Sequence, residues 1–195
     1  DPKLHNATSL LSSQLEAGLS MDAIRANIKL AISGGQNEPR DAIAGTIGTL
    51  LENHSLLESI ISGSKTWLQA FEEYSRWMSP IGMSPRRIAK NFIYKNVEFY
   101  ENDMIFFMFG SANRDEAIFQ NPDYFDISRD NGPSISFGAG PHFCAGAWIS
   151  KTLIAEVALP LFFSHFSNLY LKKPIEFQGW AFRGPKEVIL VNRNK

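Results

Sequence analysis

The sequence predicts a mainly α-helical chain with small β-sheets, an α+β arrangement. Helix start and stop signals dominate the stretch up to Pro80 and return after Cys144. Runs rich in β-branched and aromatic residues are short and fall between those stretches and at the C-terminal end. A hydrophobic content of 44%, with 15 Phe in 195 residues, is ample for a packed core.

In chain order, a helix is expected from Lys3 to Leu15 and is broken by Gly18. Ser20 caps a long helix reaching Asn53, interrupted from Gly34 to Pro39, where glycines weaken the helix and the proline lacks a donor. A short helix covers Leu56 to Ser62. The next starts at Ser64, carries Glu73 and Arg76 on one face, and stops before Pro80, because the residue ahead of a proline disfavours the α region. Short strands are expected at Arg87–Ala89 and Val97–Tyr100. Met104 to Ala112 reads as a short helix whose Phe-rich part, Ile105–Phe109, belongs to the core. Glu116 to Ser136 reads as irregular. An apolar helix follows from Cys144 to about Phe163, and strand-like runs close the chain at Asn168–Leu171 and Val188–Val191.

Nineteen basic and twenty acidic residues leave a formal net charge of −1, which makes no electrostatic case for nucleic acid or an acidic membrane surface. A single cysteine excludes an internal disulfide framework. No run is read as reaching the length of a membrane span and no secretory leader is visible, so a cytoplasmic location is expected. The first residue is Asp rather than Met, which suggests a piece of something longer.

The chemistry concentrates in Phe137-Gly138-Ala139-Gly140-Pro141-His142-Phe143-Cys144-Ala145-Gly146. A lone thiolate is reactive when exposed and costly when buried without compensation, and a metal answers both problems. Structural zinc wants four ligands and an iron–sulfur cluster several cysteines, whereas a haem iron takes one axial thiolate. Gly138 and Gly140 can adopt positive φ and let backbone pass close under a flat ring, and Gly146 has no side chain to meet the macrocycle. A helix starting near Cys144 would direct its amides at the sulfur and stabilise the anion, in a loop that holds the thiolate out of reach of water. His142 can donate a hydrogen bond to a carboxylate.

This segment resembles the haem-binding signature of cytochrome P450 monooxygenases. The resemblance implies the C-terminal portion of that fold, with residues 1–195 as the haem-binding part of one domain whose N-terminal part is absent from this chain. It implies heme b as cofactor, Cys144 as its axial metal ligand, and Phe137, Gly138, His142, Gly146 and Arg87 as cofactor-binding residues, Arg87 at the position that pairs with a propionate. Glu73-Tyr74-Ser75-Arg76 is similar to the family's E-x-x-R helix, a structural lock. A third basic residue often joins that lock, and Tyr124 stands where it would fall. Ser111–Asp115 resembles a family turn and reads as scaffold.

Leu30–Asp41 is similar to the family's long helix over the oxygen-binding face, which usually shows small-Gly-x-acid-Thr. One register puts Asn37 at the acid and Glu38 at the alcohol. The other puts Glu38 at the acid and Pro39 at the alcohol. Neither supplies a threonine, so Glu38 and Asn37 with ordered water are the candidate proton-delivering residues. The family reading implies a small organic substrate, electrons from a ferredoxin or flavoprotein reductase (Lys151 a candidate for its docking surface), and the N-terminal half as a further partner, with neither nucleic acid nor a membrane span. Peroxide-driven oxidation, isomerisation and a non-catalytic haem- or partner-binding remnant stand as alternatives.

Overall fold

A computed structural model describes residues 8–192. It divides into two compact units, residues 1–37 and 38–195. The helix expected from Lys3 lies partly outside the described residues. Within the first unit, α1 (Leu10–Glu16) is opened by a reciprocal Ser9–Ser12 capping box, and Ser20 caps α2 (Met21–Gly34) as expected. The Asn27 amide donates to Gln14 Oε1 at 2.7 Å and ties α2 to α1.

The long helix is interrupted where the sequence indicates. α2 ends at Gly34, and α3 (Asn37–Glu52) begins at Asn37. Pro39 falls in the first turn of α3, where its missing N–H costs nothing. α3 buries Ala42, Ile47, Leu50 and Leu51. It meets α5 (Trp67–Met78) at close range, since a Cβ at Gly45 would stand 1.9 Å from Tyr74 Oη. α4 (His54–Ile61) joins the two and buries Leu57 and Ile60. α5 is capped by Thr66 and Gln69, two residues later than expected. Ser79, in the left-handed conformation, ends it ahead of Pro80.

Among the described residues, four two-stranded antiparallel sheets decorate this helical core. β1 (Ser84–Arg87) pairs with β4 (Met104–Phe107), and β2 (Phe92–Tyr94) with β3 (Val97–Phe99). Further on, β5 (Leu169–Leu171) pairs with β8 (Leu190–Asn192), and β6 (Phe177–Gln178) with β7 (Gly184–Pro185). Met104–Phe107 is thus a strand, not the first part of a helix, and only α6 (Phe109–Ala112) is helical there. A short apolar run has no decisive period, and here pairing with β1 decides it. Nor is this run core, because Met104, Phe106 and Phe107 stand exposed. β2 was not expected. Its turn, Lys95-Asn96, has φ of 48° and 65°, the two-residue hairpin geometry, but lysine is not a residue that announces it.

Residues 116–136 carry no regular element, as expected. The C-terminal helical run starts at Ala147 rather than Cys144. It comprises α7 (Ala147–Lys151), a π-helical stretch (Thr152–Ala158) and α8 (Leu159–His165). Its nineteen residues, with mean hydropathy 1.3, are long and apolar enough to cross a membrane by length and composition, which corrects the sequence reading. The physical reason is that apolar residues occupy two faces. Ala147, Ile154, Ala155 and Leu159 enter the core, while Trp148, Ile149, Leu153, Val157 and Leu161 stand exposed.

Candidate functional site

The site rests on α5. Glu73 and Arg76 are both fully buried there. Arg76 Nε donates to Glu73 Oε2 and Nη2 to Glu73 Oε1, each at 2.8 Å, in a bidentate pair. Its remaining N–H groups donate to the carbonyls of Asn113, Pro122 and Tyr124 at 2.8, 2.9 and 3.2 Å, so all five guanidinium donors are used. Glu73 Oε1 also accepts from the Asp126 amide at 2.8 Å and from Arg129 Nε at 3.3 Å. Arg129 is therefore the third basic member that the reading of Tyr124 missed. Tyr124 contributes its carbonyl, which accepts from both arginines, while its side chain is exposed.

A second buried network carries this order to the cysteine loop. Asn113 Nδ2 donates to Ser79 Oγ at 2.9 Å and Ser136 Oγ at 3.0 Å, and its Oδ1 accepts from the Ile135 amide at 2.9 Å and Ser134 Oγ at 3.3 Å. Ser136 Oγ in turn donates to the Ser75 carbonyl at 2.8 Å. Asn113, read from the sequence as scaffold, thus fixes the segment that enters the loop onto the C-terminal end of α5.

The loop itself leaves the core at Phe137, whose ring packs at a tilt against Phe71, centroids 6.3 Å apart. The Cys144 amide donates back to the Phe137 carbonyl at 2.9 Å and closes the loop. Gly138 and Gly140 have φ of 73° and 66°, the left-handed conformation anticipated for them. A Cβ at Gly146 would sit 3.7 Å from Cys144 Sγ, so glycine there keeps one flank of the sulfur bare. Phe137, Gly138, Cys144 and Gly146 are therefore brought together.

One expectation about the loop is corrected, the start of the helix. Cys144 is exposed, with neighbours that are small or turned outward. The helix begins three residues after it, and the Ala147 amide is engaged by the Cys144 carbonyl at 3.2 Å. Lys151 Nζ lies 2.6 Å from Glu72 Oε1, in a partly exposed pair. His142 is exposed on a 3-10 turn, Gly140–His142. Arg87, at the end of β1, is exposed, and its Nη1 donates to the Asn102 carbonyl at 3.0 Å. Asn37 and Glu38 open α3. Glu38 is half-buried, its Oε2 is buried without a hydrogen-bond partner among the described residues, and Arg40 pairs with Asp41.

This donor set fits a flat ring with one axial sulfur. The thiol is exposed on a loop in which Gly138, Gly140 and Gly146 add no side chains beside it. Nothing lies within 4 Å of a Cβ at Gly140. Among the described residues no cluster of three or more His, Cys, Asp or Glu converges as a multidentate metal centre would require.

The cytochrome P450 family profile matches residues 68–188. A Bacillus subtilis cytochrome P450 is 34% identical over 163 residues, 83% of this chain and 40% of the relative. The epothilone C/D epoxidase of Sorangium cellulosum is 29% identical over 179 residues, 90% of this chain and 42% of the relative. The crystal structure of P450BioI in complex with an acyl carrier protein bearing hexadec-9Z-enoic acid superposes with a TM-score of 0.86 at 27% identity, covering 98% of this chain and 50% of that one. The chain thus spans well under half the length of these curated relatives. With the profile covering most of the chain and the buried Glu73–Arg76 lock beneath the cysteine loop, this chain belongs to the cytochrome P450 family.

Proposed function

We propose that residues 1–195 form the C-terminal, haem-binding part of a cytochrome P450 domain, and that the complete protein is a haem-thiolate monooxygenase acting on a small organic substrate. The observation that carries this reading is the lone exposed thiol of Cys144, set between left-handed glycines on a fully hydrogen-bonded base. Heme b, when bound, supplies the redox-active iron for dioxygen activation.

The chain's own residues have separable tasks. Cys144 supplies the anionic sulfur. Phe137 anchors the loop to the core, and Gly138 and Gly146 keep its ring-facing side free of side chains. His142 and Arg87 offer hydrogen-bond donors to carboxylate groups. Arg87 has donors to spare, since a guanidinium carries five N–H groups. Glu38, whose buried Oε2 has no hydrogen-bond partner among the described residues, and Asn37 are the candidate residues for relaying protons through ordered water. The N-terminal half of the domain and a ferredoxin or flavoprotein reductase complete the assembly, in the cytoplasm. The absence of a threonine in the Gln36–Pro39 stretch favours one second reading, peroxide-driven oxidation, which turnover with peroxide but not with dioxygen and reductant would single out.

Haem titration tests the first reading. Stoichiometric uptake by the folded protein, either alone or after addition of the N-terminal half of a relative's domain, is the expected outcome. Failure to take up haem in both settings refutes it.

A further inference from the structure

Away from the cysteine loop, residues 181–183 run beside Pro80–Gly82. The Arg183 amide donates to the Pro80 carbonyl at 2.8 Å and the Gly82 amide to the Ala181 carbonyl at 2.9 Å, with Ile81 bridging Phe182. Alternation along such a strip sends Phe182 to one face, where it is exposed, and Arg183 to the other. There the Arg183 side chain lies half-buried across two glycines. A Cβ at Gly82 would stand 2.6 Å from its Cδ, and one at Gly110 would stand 2.5 Å from its Nη1. The two glycines clear the bed on which the guanidinium rests.

That guanidinium has no hydrogen-bond acceptor or counter-ion among the described residues. It borders a cavity of about 410 Å³ shared with Arg114, Ser111, Met108 and Trp180, and no acidic side chain lines it. Arg114 is already engaged, through the Trp77 carbonyl at 2.9 Å and Asp123. Burial, and secondarily the like charge of Arg114, pull Arg183 below the usual guanidinium range. A partly desolvated cation with no partner is costly, and an oxyanion placed there recovers that cost through a planar, two-pronged contact. Met108 and Trp180 add an apolar wall.

We propose that this cavity binds a small organic carboxylate, with its oxyanion on Arg183 and its carbon skeleton against Met108 and Trp180. None of the lining residues belongs to the cysteine loop or is among the residues assigned to the cofactor.

Benzoate and neutral benzamide are the probes, added to the folded, haem-loaded protein while the arginine Nε–Hε resonances are followed by NMR. The Arg183 signal is assigned by its loss in Arg183→Gln. Benzoate should shift that signal saturably in the millimolar range and benzamide should not. Arg183→Gln should weaken benzoate binding, read by calorimetry, tenfold or more. Arg183→Lys should fall between, since it keeps the charge and loses the fork. Circular dichroism checks that each variant is folded. No saturable shift with benzoate, an equal response to benzamide, or undiminished benzoate binding by folded Arg183→Gln overturns the proposal.

Discussion

The region behind the cysteine loop and the helical run after it sort their side chains in opposite ways. Behind the loop, charged and polar groups are buried and fully satisfied: Glu73, Arg76 and Asn113 expose nothing and use their hydrogen-bonding capacity. After the loop, apolar groups are left outside. Ile149, Leu153, Val157 and Leu161 recur every four residues on one side of the helix, with Trp148 beside them, all exposed. Buried ions without partners would be ruinous, so the first region must be internally complete. A large exposed apolar stripe has no such internal remedy and marks a face that another surface covers. Under the proposed function, the expected occupant of that face is the N-terminal part of the domain.

Substitutions at the two regions should therefore differ in kind. Glu73→Gln leaves Arg76 and Arg129 short of their counter-charge inside the protein. It should cost about 3–5 kcal/mol, read by denaturant unfolding. A loss below 1 kcal/mol would mean that the network is not the base of the site. Asn113→Ala orphans the Ile135 amide and the hydroxyls around it. A cost of about 1–3 kcal/mol is expected, together with weaker haem retention, because the loop entrance loses its tether to α5.

Tyr74 sharpens the comparison by pH. Burial raises its hydroxyl well above the ordinary tyrosine range, and it donates to the Asp41 carbonyl at 3.3 Å. A group whose folded pKa is raised contributes stability that is full below its unfolded value and falls as pH rises beyond it. Wild-type stability should thus decline above about pH 10. Tyr74→Phe should remove this part of the decline and cost about 1 kcal/mol at neutral pH. Identical alkaline slopes in the two proteins would rule the burial argument out.

At the other region the effect on stability should be smallest. Trp148→Ser with Leu153→Ser should change the stability of this chain by no more than about 0.5 kcal/mol per site, yet reduce its association with the N-terminal half in a pull-down. Strong destabilisation with unchanged association would reverse the comparison.

The sequence made the local parts of this picture legible. Glu73 and Arg76 announce themselves by i, i+3 spacing, and the glycines around Cys144 by the conformations that only they adopt freely. Arg129 was not recognised, and Asn113 was read only as part of a scaffold turn, because their partners lie far along the chain, Glu73 at a separation of 56 residues and Ser79 at 34. No local pattern encodes such a meeting. Met104–Phe107 misled because a run of large apolar residues carries no period, and long-range pairing with β1 settled it. The apolar face of the last helix was hidden by the same limit. Composition marks a helix as apolar without telling which faces meet the core.

The most direct test of the account is the absorption spectrum of the reduced, carbon monoxide-treated protein, compared between wild type and Cys144→His under conditions where both retain haem. A red-shifted, thiolate-type Soret band in the wild type, lost on substitution, is the predicted result. The same band in both proteins, or none in haem-loaded wild type, would contradict axial ligation by Cys144.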